Sequence, residues 1–182
     1  SEIIRMFNSA FDAFAEHPER DYYPAPLRDE IDAVNDRVFN TVNIGVYKSG
    51  FARSQAAYDE AVTNLFDTFD WLEARLSNQR YLVGDQITEA DWRLFTTLLR
   101  FDPVYHGHFK CNIRRLIDYP SLWNYTRDLY QVPGVDSTIN NPQIKIHYYG
   151  SHETVNPTGI VPVGPTIDFL APHNRADIKD AA

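Results

Sequence analysis

Cysteine is almost missing from this chain. Cys111 is its only one, so no intrachain disulfide framework can form and a reducing, cytoplasmic setting is expected. No apolar run approaches the length that spans a bilayer, and the first residues lack the basic-then-apolar order of a secretory signal. No membrane association is therefore expected. Positive charge is also scarce: 17 Lys and Arg against 25 Asp and Glu leave a formal net charge of −8. With no basic helix, no Arg/Lys stripe and no basic–aromatic interleave, a nucleic-acid surface is excluded. A Gly-rich phosphate loop, paired cysteines and a metalloprotease helix are absent too.

What is present is a core. Apolar residues make up 43% of the 182 positions and aromatics 14%, which suits one folded domain with a tail. The most informative stretch runs from Tyr81 to Asp91. Thr88 is placed as an N-cap whose hydroxyl accepts the Asp91 N–H, and Asp91 reaches back to the Thr88 N–H, a capping box with Asp. Ile87 and Trp92 sit where a hydrophobic staple closes. Behind them Leu94, Phe95, Leu98 and Leu99 give a broad apolar face, the mark of a central helix in an all-α domain.

Other helices follow from three- and four-residue spacing. Ile3, Ile4, Phe7, Ala10, Phe11 and Phe14 predict a first helix, stopped by His17-Pro18. Leu27, Ile31, Val34, Val38 and Val42 predict a second, fraying at Ile44-Gly45-Val46-Tyr47. Tyr58, Val62, Leu65, Phe69, Leu72 and Leu76 give the clearest helix, from about Ser54 to Leu76. The capped helix Glu89–Arg100 should end at Asp102-Pro103, a short helix could run from Cys111 to Ile117, and another covers Ser121–Tyr130. Residues 1–139 thus read as a helical domain. From Asn140, prolines and glycines alternate and periodicity disappears, so 140–182 reads as a long, extended, ordered arm packed on the same domain, with its last residues, Asp168–Ala182, flexible. The opening Ser1-Glu2-Ile3-Ile4 reads as the middle of an element, so processing or a longer parent is expected.

Candidate chemistry is sparse. His106, His108 and Cys111 lie close in sequence, but a zinc-type site would have to recruit Asp102 or His147 as a fourth ligand. The weight falls on loop and helix-end histidines with no metal, and on Cys111 as packing among Phe109, Ile113 and Leu116. Tyrosines are better placed. Tyr47 at a helix end and Tyr148 and Tyr149 in the tail could offer a hydroxyl to a developing oxyanion while a ring stacks on an aromatic substrate. Thr88 and Asp91 are assigned to capping, not to catalysis.

Tyr81 to Asp91, with Trp92-Arg93-Leu94-Phe95 behind, resembles the core helix of the C-terminal helical domain of glutathione transferases. Three stretches are more specific: Thr41 to Ala52; Arg100 to Tyr105 with His108 to Cys111; and His147-Tyr148-Tyr149 through Asn156 to Ile160. Together they resemble the glutathionyl-hydroquinone reductases, the xi class. The resemblance implies an all-α bundle of the glutathione-transferase C-terminal type carrying the hydroquinone pocket. It implies reduction of glutathionyl-hydroquinones, with glutathione as co-substrate and no bound cofactor. It also implies a nucleophilic cysteine in an N-terminal thioredoxin-like domain that this sequence lacks, Cys111 matching a helical-domain position instead. Tyr47 and Tyr148 match catalytic tyrosines, Tyr149 is a weaker candidate for substrate binding, and a homodimer is implied. The competing expectation is a non-catalytic helical interaction module.

Overall fold

The period between Ser54 and Leu76 is borne out. The computed structural model describes residues 2–178 and has a 22-residue helix over Gln55–Leu76. Ser54 caps it, its side chain accepting the Ala57 N–H at 3.2 Å. Leu65, Phe69, Leu72 and Leu76 run fully buried down one stripe. In chain order the helices are α1 (Glu2–Phe7), α2 (Arg28–Val38), α3 (Gly45–Gly50), α4 (Gln55–Leu76), α5 (Glu89–Arg100), α6 (His106–His108), α7 (Pro120–Tyr130) and α8 (Asn141–Ser151). No strand occurs among the described residues, so the fold class is all-α. None of these helices is long and apolar enough to cross a membrane.

The centre of the bundle is α5, whose boundaries match the capped helix read from the sequence. The capping box is present, but its short contacts run towards the carboxylate. Asp91 Oδ2 accepts the Thr88 N–H at 2.7 Å and the Thr88 hydroxyl at 3.1 Å, while the Asp91 N–H reaches the Thr88 carbonyl at 3.1 Å. The other oxygen, Oδ1, accepts the Leu82 N–H at 2.9 Å and the Tyr125 hydroxyl at 2.7 Å. One buried carboxylate therefore joins the turn before α5, the start of α5 and the middle of α7.

Several expectations are corrected. The first helix is short. Beyond Phe7 only a 3₁₀ turn at Asp12–Phe14 remains, and the apolar side chains of α1 are exposed, so burial does not hold a longer helix together. Gly45 does not fray the second helix. A π-turn, Phe39–Asn43, carries α2 into α3, and Gly45 is buried against Leu65. Pro103 does not stop α5 either, because a second π-turn, Phe101–Tyr105, leads into α6. There the His106 N–H reaches past its usual partner to the Phe101 carbonyl, a wider turn that tolerates a residue without an N–H. Between Cys111 and Ile117 the only helical piece is a 3₁₀ turn at Leu116–Asp118. The Asp102 carboxylate holds the chain there by accepting the Leu116 and Ile117 N–H groups at 2.6 and 3.2 Å.

The largest correction is in the tail. Its first part is not extended but helical, α8, started by Asn140, whose side chain accepts the Gln143 N–H at 3.0 Å. Pro142 falls in the first turn, where a missing N–H costs nothing. After α8 the chain is irregular but anchored. Phe169 is buried, stacking on Tyr130 at 4.9 Å and tilting against Trp123 at 5.4 Å. Arg175 is 1% exposed and donates to the carbonyls of Leu76, Gln79 and Arg80, satisfying the end of α4. The looseness expected of Asp168–Ala182 is thereby corrected as far as residue 178, since Phe169 and Arg175 are buried and anchored; positions 179–182 lie outside the described residues.

Asp91→Asn keeps the shape but turns two acceptors into one and points an amide at backbone donors. It should lower unfolding stability by about 2–4 kcal/mol, with Thr88→Ala costing about 1 kcal/mol. Urea unfolding followed by circular dichroism checks both; equal, negligible losses would remove Asp91 from its place at the centre of the fold.

Candidate active site

The two π-turns and α8 bring three tyrosines to one point. Tyr47 comes from α3, Tyr105 ends the second π-turn, and Tyr148 lies on α8. The Tyr148 hydroxyl is 2.7 Å from that of Tyr47 and 2.8 Å from that of Tyr105, so it is the middle member of a hydroxyl chain. Phe109 backs the trio, stacked on Tyr105 at 5.6 Å and tilted against Tyr47 at 5.4 Å. It can sit there because residue 50 is glycine: a Cβ at that position would fall 2.2 Å from the Phe109 ring.

Exposure falls steeply along the trio, from 37% at Tyr47 to 7% at Tyr148 and 3% at Tyr105. Burial pushes the Tyr148 phenol up to about 12. Burial, reinforced by the Tyr148 and Tyr47 hydroxyls, holds the Tyr105 phenol well above the usual tyrosine range. Tyr105 and Tyr148 are therefore protonated at neutral pH and able to donate. Their hydroxyls face a cleft of about 800 Å³. Its far wall is α5, through Trp92, Arg93, Thr97 and Arg100, and Ile4 and Phe7 of α1 close one side. The cleft combines an aromatic, mostly apolar lining with convergent hydroxyl donors, which suits a ring that gains negative charge on oxygen.

Of the residues singled out from the sequence, Tyr47 and Tyr148 meet here. Tyr149 does not. Neighbouring residues on a helix point about 100° apart, and Tyr149 turns to a second cleft beside His106, Gly107 and Trp123. Its ring packs on His108 at 4.6 Å. Thr88 and Asp91 lie in the core, away from the tyrosine cleft. Tyr105 carried no role in the sequence reading. It stood within the Arg100–Tyr105 stretch, yet Asp102-Pro103 read as a helix stop and hid the turn that aims it.

The soft-ligand group also disperses. Cys111 is fully buried with Sγ 3.9 Å from the Val46 carbonyl, and burial pushes its thiol up to about 12. His108 pairs instead with His152, Nε2 to Nδ1 at 3.1 Å. Among the described residues, no three His, Cys, Asp or Glu side chains are grouped to hold a metal ion.

With this geometry in place, residues 55–128 match the family described as glutathione S-transferase, C-terminal domain. The fold class is that of glutathione-transferase C-terminal helical domains, including the long ordered segment behind α7. Within that class, the chain is 60% identical over 165 residues to the glutathionyl-hydroquinone reductase PcpF of Sphingobium chlorophenolicum, an alignment covering 91% of this chain and 52% of that protein. It superposes with a TM-score of 0.93, at 54% identity, on the glutathione-bound structure of the Escherichia coli transferase homologue YqjG, covering 96% of this chain and 56% of that one. A xi-class transferase from Natrialba magadii gives a TM-score of 0.94 at 47% identity, with 97% and 54% covered. The chain spans about half the length of the relatives it matches.

Two properties of the site are open to direct measurement. With its thiol pushed up to about 12, Cys111 should resist iodoacetamide in the native protein at mildly alkaline pH and react once unfolded; mass spectrometry reads the difference, and rapid native labelling contradicts the burial. Burial, with the neighbouring His152 and Lys110 charges, lowers His108 from 6.5 to about 4. The folded state thus binds this proton more weakly than the unfolded state. The stability it contributes is complete above 6.5 and drains away as pH falls from 6.5 towards about 4. Denaturant titrations across that window should show a shallower slope for His108→Asn than for the natural sequence.

Proposed function

We propose that this chain is the helical, hydroquinone-binding half of a glutathione-dependent enzyme that reduces glutathionyl-hydroquinones to hydroquinones. The observation that carries the reading is the convergence of the Tyr47, Tyr105 and Tyr148 hydroxyls on one aromatic-lined cleft. The nucleophile is a thiolate from a thioredoxin-like domain outside this sequence, because the one thiol here is buried and held protonated. That thiolate attacks the sulfur of the bound conjugate. The carbon–sulfur bond breaks, its electron pair goes to the ring, and a proton replaces the sulfur there. The resulting mixed disulfide between enzyme and glutathione is opened by a second glutathione, which leaves as glutathione disulfide. Conjugate plus glutathione thus become hydroquinone plus disulfide: the ring carbon is reduced by two electrons, and the conjugate's sulfur and that of the second glutathione are each oxidised by one.

The role of the tyrosines follows from where charge builds. As the bond to sulfur breaks, negative charge spreads over the ring and its oxygens, and phenolic donors stabilise that state more than the bound conjugate. Tyr148 belongs to residues 140–182 and completes a site otherwise built by residues 1–139, which supports the division of the chain at that point. The requirement for reduced glutathione favours a cytoplasmic setting. A homodimer belongs to the same reading, supported by exposed apolar side chains on the segment after α8, such as Ile160 and Leu170.

In the protein carrying its thiol domain, Tyr47→Phe and Tyr148→Phe should each lower kcat by about 10²-fold, with smaller changes in KM. Unchanged turnover in both single variants removes the donor role. Absence of saturable conjugate binding would favour a non-catalytic interaction module instead.

A further inference from the structure

Two cations on the wall of the tyrosine cleft have no carboxylate hydrogen-bonded to them. Arg93 and Arg100 lie on the cleft side of α5 about two turns apart, roughly 10 Å along the axis. Arg100 Nη1 donates to the Thr96 carbonyl at 2.7 Å, a bond within its own helix that fixes the guanidinium without neutralising it. The Nε and Nη2 of Arg93 are buried and meet no acceptor. Arg93 Nη2 forms an ion pair with Glu89 Oε1 at 3.5 Å, one turn earlier on the same helix, too long for a strong hydrogen bond. That oxygen already accepts from Arg5 Nη2 at 2.9 Å and Asn35 Nδ2 at 2.8 Å. Glu89 is also the one carboxylate among the residues lining the cleft. Arg5 and Arg93 share it, and Arg5 pairs with Asp32 as well, so Arg93 and Arg100 against Glu89 leave the lining one positive charge in excess.

Buried guanidinium donors without an acceptor are unfavourable, and an anion delivered by a ligand satisfies them. The surroundings say what kind of ligand brings that anion. Trp92, Phe7 and the tyrosine rings line the same cleft, so the anion arrives attached to a flat apolar body. We propose that Arg93 and Arg100 make this cleft select aromatic ligands bearing an acidic substituent on the ring, a carboxylate above all. The inference rests on the reading of the cleft as an aromatic-substrate site and adds a rule of substrate choice to it. Guanidinium groups suit that task because they stay charged and form strong charge-assisted hydrogen bonds with carboxylates. Arg100 has a second effect, since its charge also favours the ionised form of the Tyr148 hydroxyl at the opposite wall. The carboxylates of glutathione offer the same chemistry from a different source, and the experiment separates the two.

The test uses the full-length protein near neutral pH, with a dihydroxybenzoate and its uncharged methyl ester as probes, bound in titration calorimetry. The natural protein should bind the acid about 10-fold more tightly than the ester. Arg93→Gln and Arg100→Gln should each narrow that gap by about 5-fold, while Arg93→Lys and Arg100→Lys keep most of it. Equal affinity for acid and ester in the natural protein overturns the inference even where a Gln variant fails to fold, and leaves the aromatic cleft standing. A gap that survives both Gln variants overturns it as well, and lost glutathione binding in those variants would then assign the arginines to the tripeptide. If neither probe binds, the aromatic reading falls and this inference falls with it.

Discussion

Everything in this bundle is referred to the carboxylate of Asp91. Four donors converge on it, from Leu82, the backbone and hydroxyl of Thr88, and Tyr125. Burial raises its pKa and the donors work against that rise, so the group is held between two large opposing effects. Its consequence is geometric. The turn at Leu82, the start of α5 and the middle of α7 cannot shift independently without leaving a buried polar group unmet. The cleft wall formed by Trp92, Arg93, Thr97 and Arg100 is the outward face of that same fixed helix.

The site is built where regular helix gives way. Each π-turn widens its rod by one residue and rotates the helix beyond it, and such insertions are often found at functional sites. Here one lies just before Tyr47 and the other contains Tyr105. The third hydroxyl arrives from α8, which packs on the second π-turn. Phe109, admitted by the bare backbone of Gly50, keeps the rings at their distances. The meeting of the three hydroxyls therefore depends on a few irregular residues carried by a very regular scaffold.

This division also explains what could be read from the chain. The helices α4, α5 and α7 were legible because a 3.6-residue period and a local cap are properties of neighbouring residues. Tyr47 and Tyr148 were singled out by their placement at a helix end and in the tail and then by resemblance, not through any periodicity of their own. Gly45 and Pro103 misled because their local preference is to end helices, and tertiary packing with wider turns overrode it. α8 was hidden by Pro142 and Gly150, and by a face too mixed to show a stripe. Tyr149 lines a different cleft from Tyr148, because sequence adjacency says nothing about direction on a helix. Arg93 gave no signal, since its unmet donors exist only because Arg5 and Asn35 take the short hydrogen bonds of Glu89 and leave Arg93 a longer ion pair.

The order of the three hydroxyls has a consequence for proton traffic. Tyr148 sits between its partners, and only Tyr47 at the mouth is substantially open to water. In the reading proposed above, a ring in the cleft would cover Tyr105 and Tyr148, and a proton given up at depth would be replaced by way of Tyr47. On that reading the trio would be a wire with one end in water, recharged through its outermost tyrosine.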